Sequence, residues 1–101
     1  MATKITIIIN NPTTPEEFEP RYERIVALAD QLPDLQRLES AKVWPKEDHS
    51  ETPAYRTLDL YFSSYEIASA AVQNAIAGEL FQTLVATGTR FTALFSDIEQ
   101  R

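Results

Sequence analysis

The chain has one histidine, one tryptophan and no cysteine. The first two share a single short stretch, WPKEDHS, from Trp44 to Ser50. An imidazole with an ordinary pKa of about 6.5 can give and take a proton near neutrality, so His49 is the side chain best suited to acid or base work. Its neighbours argue against that use. Lys46, Glu47, Asp48 and Ser50 predict a hydrated connection, whereas a catalytic base needs hydrogen-bond reach to a sequestered substrate. The stretch is expected to be a strand end at Trp44 followed by a hairpin loop, with the indole serving core or interface before any ligand.

Other chemistries find little support. Without cysteine there is no disulfide, thiolate nucleophile or thiolate metal site. A transition metal would have to rely on carboxylates, and Glu16, Glu17, Glu19 and Glu23 are explained by the positive end of a helix. No glycine-rich phosphate loop, nucleophile elbow or Ser-His-Asp set can be placed. Neither metal nor cofactor is expected. A net charge of -6 and a pI near 4.6 repel a phosphate backbone, so nucleic acid is not an expected partner. The apolar run around Ile7 to Ile9 is far short of the ~20 residues of a membrane helix, and the N-terminus lacks a basic-then-apolar leader. The expected location is the cytoplasm.

These residues must be positioned by one domain over residues 1–101. KITIIIN, Lys4 to Asn10, is β-branched almost throughout and stops at Asn10-Asn11-Pro12, which predicts a first strand. Thr14-Pro15-Glu16-Glu17 offers a capping hydroxyl, a first-turn proline and a capping-box acid. In the helix that follows, Phe18, Tyr22, Ile25, Ala29 and Leu32 recur at spacings of four and three and form one apolar stripe. Pro20 predicts a kinked or separate first turn. Leu32-Pro33-Asp34 ends the helix, and Gln36 to Trp44 reads as a second strand. Ala54 to Phe62 alternates cleanly as a third. Ser63 or Ser64 caps a second helix, Gly78 interrupts it, and Leu80, Phe81, Leu84 and Val85 resume it until Gly88. Phe91 to Ile98 is the last strand. The order βαββα(α)β predicts an α+β, ferredoxin-like fold: a four-stranded antiparallel sheet with helices on one face.

If Ile5, Ile7, Ile9, Val43, Leu58, Leu60 and Leu94 meet the helices, the other face carries Ile8, Leu38, Trp44, Tyr55, Tyr61 and Phe91 or Phe95. So much aromatic surface exceeds what a monomer leaves wet. A second copy could cover it, sheet against sheet, with Thr6, Thr57, Asp59 and Lys42 suiting an interface that holds some water. A homodimer through the sheet face is therefore expected.

Several separated pieces then coincide: the isoleucine-rich strand ending Asn10-Asn11-Pro12, the early helix with Phe18 and Tyr22, the exit Leu32-Pro33, Pro53-Ala54-Tyr55, Leu60-Tyr61-Phe62-Ser63-Ser64 and the final FTALFSDIE. Together, over nearly the whole chain and in order, they resemble the EthD family of the dimeric α+β barrel superfamily. The resemblance implies a small homodimer in which two sheets close a barrel, with a pocket between helices and sheet in each subunit. Some members were named for a role in ethyl tert-butyl ether degradation, and relatives act as cofactor-free oxygenases, isomerases or cyclases. The family's first helix commonly reads like Y-Y-R-E-T-H, its histidine pointing into the pocket as candidate acid or base. Here the chain reads RYERIVAL, Arg21 to Leu28, so Ile25 or Val26 stands in the histidine's place. Neither exchanges a proton. The glycine that often follows Leu-Pro is replaced by Asp34.

Two functions follow. In one, a hydrophobic or aromatic metabolite binds between helices and sheet against Phe18, Tyr22, Ile25, Val26 and Phe81, as a substrate of cofactor-free catalysis or in an accessory role to a degradation pathway. Tyr22 would orient it by hydrogen bonding, because the catalytic residues are unassigned and no strong base is available. In the other, the same stripe is a filled core and the protein a non-catalytic structural or interaction module.

Overall fold

The computed structural model describes residues 1–100. Four strands, β1 (Thr3–Ile9), β2 (Arg37–Lys42), β3 (Arg56–Phe62) and β4 (Phe91–Asp97), and three helices, α1 (Pro15–Ala29), α2 (Tyr65–Ala71) and α3 (Ala75–Ala86), follow the order β1-α1-β2-β3-α2-α3-β4. The strands form one antiparallel sheet ordered β2-β3-β1-β4. Its most apolar strand, β1, is central. Thr3, Ile5, Ile7 and Ile9 alternate inward with Leu58, Leu60 and Phe62 of β3, and the α1 stripe of Phe18, Tyr22, Ile25, Leu28 and Ala29 closes over them. Each such aliphatic side chain taken from water contributes about 1.5–3 kcal/mol. No helix among the described residues is long and apolar enough to cross a membrane.

Local rules account for most boundaries, with three departures. α1 runs unbroken through Pro20. The proline is on the exposed side of the helix, as is Glu16, whose carbonyl loses its donor, so water can serve that carbonyl without a kink. Thr14 makes no side-chain cap; its carbonyl instead accepts from the amides of Glu17 and Phe18, each at 3.1 Å. The second helical region divides at Asn74 and not at Gly78. Ser64, rather than Ser63, caps α2 by accepting from the Ile67 amide at 3.2 Å, and the Asn74 side chain caps α3 by accepting from Ile76 at 2.9 Å.

Gly78 therefore lies inside α3 with open space at its missing Cβ, while Gly88, past the helix end, has φ +73 and also open space. The two positions should respond oppositely to alanine. Gly78→Ala is expected to add about 0.5–1 kcal/mol of stability by restricting the unfolded chain. Gly88→Ala should remove about 1–2 kcal/mol, because a Cβ disfavours the left-handed region. In a domain of this size each kcal/mol moves Tm by about 4–8 °C, so paired thermal melts decide both. Asp34, at φ +62, occupies the same left-handed region. That geometry favours a glycine after Leu-Pro, and a short acidic side chain tolerates it.

Register corrects the expected faces. Phe95 lies opposite Ile5, Ala93 opposite Ile7 and Phe91 opposite Ile9, so these three point to the helix side and Leu94, opposite Thr6, points away. Leu38, opposite Leu60, is also on the helix side, and the Tyr55 ring meets Phe18 edge-on at 5.7 Å. Val43 is half-buried outside the core cluster, and Trp44 is 86% exposed beyond β2. The open face consequently carries Ile8, Leu94 and Tyr61 among Lys4, Thr6, Thr57, Asp59, Thr92, Arg37 and Glu39. It is a threonine-rich, charged surface and not an aromatic one. Thr6 donates to Asp59 at 2.5 Å, Tyr61 to Glu39 at 2.6 Å, and Lys4 lies 3.8 Å from Asp59.

Candidate ligand site between the first helix and the sheet

The side chains with chemistry converge where α1 crosses the β2–β3 edge. Phe18 and Glu19 lie one turn before Tyr22, four and three residues back, so each side chain neighbours that of Tyr22 on α1. The sheet answers with Ser40 and Lys42 from β2, and with Tyr55 and Arg56 at the start of β3. The Tyr22 hydroxyl and Ser40 Oγ are 2.6 Å apart. The Arg56 guanidinium lies 4.7 Å from the centre of the Tyr22 ring and 5.8 Å from that of Tyr55, and its Nη2 is bonded to Glu19 Oε1. Phe18 stacks on Tyr22 at 5.8 Å. The Arg56 and Glu19 side chains are 18% and 34% exposed. Arg56 Nε and Glu19 Oε2 are buried and make no hydrogen bond.

Burial pushes the Tyr22 phenol above its ordinary value of 10.0, partly offset by the Ser40 hydrogen bond and the Arg56 charge. Burial also works to lower Arg56, but the hydrogen bond and charge of Glu19 outweigh it and raise the guanidinium. Near neutrality the phenol is therefore neutral and the guanidinium charged. Tyr22 can orient or polarise a ligand; it does not act as a base. Because its folded pKa is raised, the stability linked to its protonated form is present below the unfolded value of 10.0 and is lost as pH rises through and above it. Alkaline unfolding should steepen above pH about 10, and Tyr22→Phe should flatten that limb in denaturant titrations at successive pH values.

The expected pocket residues separate in the structure. Phe18, Tyr22 and Ile25 are 3%, 4% and 0% exposed and belong to the core. Val26 is half-buried at its margin, and Phe81 of α3 packs 6.2 Å from Phe91 over β4, the opposite edge of the sheet from Ser40. Phe18 and Tyr22 thus share a site with Ser40 and Arg56, while Phe81 stands apart. A cavity of about 160 Å³ at the start of α1 is lined by Thr14, Phe18, Arg21 and Gly88. A larger cleft of about 520 Å³ lies at the other end of the sheet, among Lys4, Arg37, Tyr61 and Asp97. His49, at φ +64, is exposed in the loop, its amide donating to the Lys46 carbonyl at 2.9 Å.

Ser40, Arg56 and the pairing role of Glu19 escaped sequence reasoning. One signal was available: Arg56 shares the inward side of β3 with Leu58, Leu60 and Phe62, and a charge on an apolar face is the informative exception. Nothing comparable marked Ser40, which lies in a strand whose alternation is weak.

This topology, with the helices on one face and a split βαβ connectivity, is the ferredoxin-like α+β fold. Neither a protein-family model nor a curated protein matches the sequence. Solved structures do match. An EthD family protein from Bacillus halodurans c-125 superposes with a TM-score of 0.87 at 15% identity, over 97% of this chain and 99% of that one. SnoaB, a cofactor-independent oxygenase from Streptomyces nogalater, gives 0.73 at 12% identity over 99% and 95%. A dimeric ferredoxin-like protein of unknown function from Jannaschia sp. CCS1 gives 0.73 at 13% over 97% and 100%. The EthD resemblance read from the sequence therefore holds at the level of the fold.

Proposed function

We propose that the protein works in the cytoplasm as a homodimer with its sheets face to face, and that each subunit takes a small hydrophobic or aromatic molecule where α1 meets β2 and β3. The observation that carries this reading is the convergence of the Tyr22 and Ser40 hydroxyls with the Arg56 guanidinium against the rings of Phe18 and Tyr55. A few polar groups in an aromatic wall are what a small-molecule site needs. Cofactor-free chemistry on a bound molecule, of the oxidoreductase, isomerase or cyclase kind, is compatible with Tyr22 as a neutral donor, and the oxygenase of like fold supports it. The dimeric protein of like fold supports the assembly, while the charged open face removes the aromatic-surface argument for it.

The near-complete burial of Phe18, Tyr22 and Ile25 favours a second reading, a packed module that holds nothing. Native mass spectrometry and a fluorescence screen with aromatic ligands separate the two. Saturable binding, weakened about threefold to tenfold by Tyr22→Phe as the loss of one hydrogen bond predicts, supports the site. Unchanged affinity removes Tyr22 from it, and no binding at all favours the packed module. Light scattering should return the mass of two subunits; that of one would end the dimer proposal.

A further inference from the structure

Arg56 and Lys42 are cross-strand partners on the helix side of the sheet. Like charges directly opposite each other on a ladder repel, and this is a chain of net charge -6, rich in carboxylates that could have separated them. Among the described residues one carboxylate, Glu19, is paired with these two cations, and it is bonded to Arg56 alone. The Lys42 ammonium lies 5.5 Å from the centre of the Tyr55 ring, the ring that Arg56 also approaches. Arg56 Nε is buried and has no acceptor. Ring contacts of this kind engage the guanidinium face and leave its edge for hydrogen bonding.

We propose that this corner is an anion site, and that its ligand is a small carboxylate on an aromatic frame. The carboxylate takes the Nε edge of Arg56 and the ammonium of Lys42, and the frame lies against the half-buried ring of Tyr55. Glu19 is the internal stand-in. Its carboxylate covers Nη2 of Arg56, its side chain is 34% exposed, and its second oxygen is buried without a donor, so an incoming carboxylate competes with it. A cationic ligand would meet two like charges, and a neutral one would gain nothing from the ammonium. This inference rests on the helix-sheet site proposed above and names the class of molecule that site takes.

Titration of the isotope-labelled protein with benzoate and with its neutral isostere benzamide, followed by backbone amide shifts, tests it. Benzoate should perturb Lys42, Tyr55 and Arg56 and bind ~10-fold or more tightly than benzamide, the worth of a charge-assisted hydrogen bond. Glu19→Gln should tighten benzoate. Lys42→Gln, at an exposed position, should weaken benzoate about threefold and leave benzamide unchanged. Arg56→Met should abolish the preference; if that variant fails to fold by circular dichroism, the Lys42 and Glu19 variants still decide. Benzamide binding at this corner as tightly as benzoate overturns the carboxylate class and leaves the site standing. Shifts from neither probe overturn both.

Discussion

Phe62→Ala is expected to destabilise the protein by about 3–5 kcal/mol, the cost of a cavity the size of a phenyl ring. Phe62 is the largest side chain that is wholly enclosed, at 0% exposure, and it ends β3 on the helix side opposite Thr3. The loss is a large share of the ~5–15 kcal/mol that holds a domain together. Phe95→Ala is the control. Its ring faces the same side of the sheet, but from an edge strand and 40% exposed, and should cost about 1–2 kcal/mol on the area it buries. Urea unfolding should show the Phe62 midpoint falling well below that of Phe95 with little change in slope. Equal costs would contradict the placement of β4 at the edge.

The second large effect is an asymmetry within the Glu19–Arg56 pair. Breaking a fully buried pair by deleting one partner costs about 3–5 kcal/mol, but Glu19 is a third exposed, so solvent screening reduces the figure for Glu19→Leu to about 1–2 kcal/mol. That variant strands a guanidinium that is 18% exposed. Arg56→Met should cost about 0.5–1 kcal/mol, chiefly the contact with the Tyr22 ring, because the freed carboxylate can turn to water. The double variant should be no less stable than Glu19→Leu alone, which gives a coupling of about 1 kcal/mol in a double-mutant cycle. Additive costs would show that the two groups do not support each other.

What the residues revealed before the fold was known follows from which signals are local. Period-two alternation in RTLDLYF and the 4–3 spacing of Phe18, Tyr22 and Ile25 each name their inward side, and the strand and the helix both lie where that spacing places them. FTALFSD has apolar residues on both sides, since Phe91, Ala93 and Phe95 alternate with Thr92, Leu94 and Ser96, so its facing is decided only by pairing with β1. The sign of Leu94 and Phe95 was reversed for that reason. Tyr55 was misplaced because it precedes β3 and turns toward Phe18 instead of continuing the pleat. The candidate site was half legible: Tyr22 stands on a visible stripe, whereas Ser40 and Arg56 reach it only because β2 and β3 pair next to α1.

The central place of β1 governs how this protein is made. Both β3 and β4 must flank β1, and the pairing of Thr3 with Asp97 brings together residues 94 positions apart. Closing ladders across such distances slows folding. Until β3 has formed, KITIII lacks the first of its two neighbours, and until β4 has formed its other edge stays open, the kind of β-branched segment that associates with other nascent copies. That open edge is where association between copies is expected while the core is still unclosed.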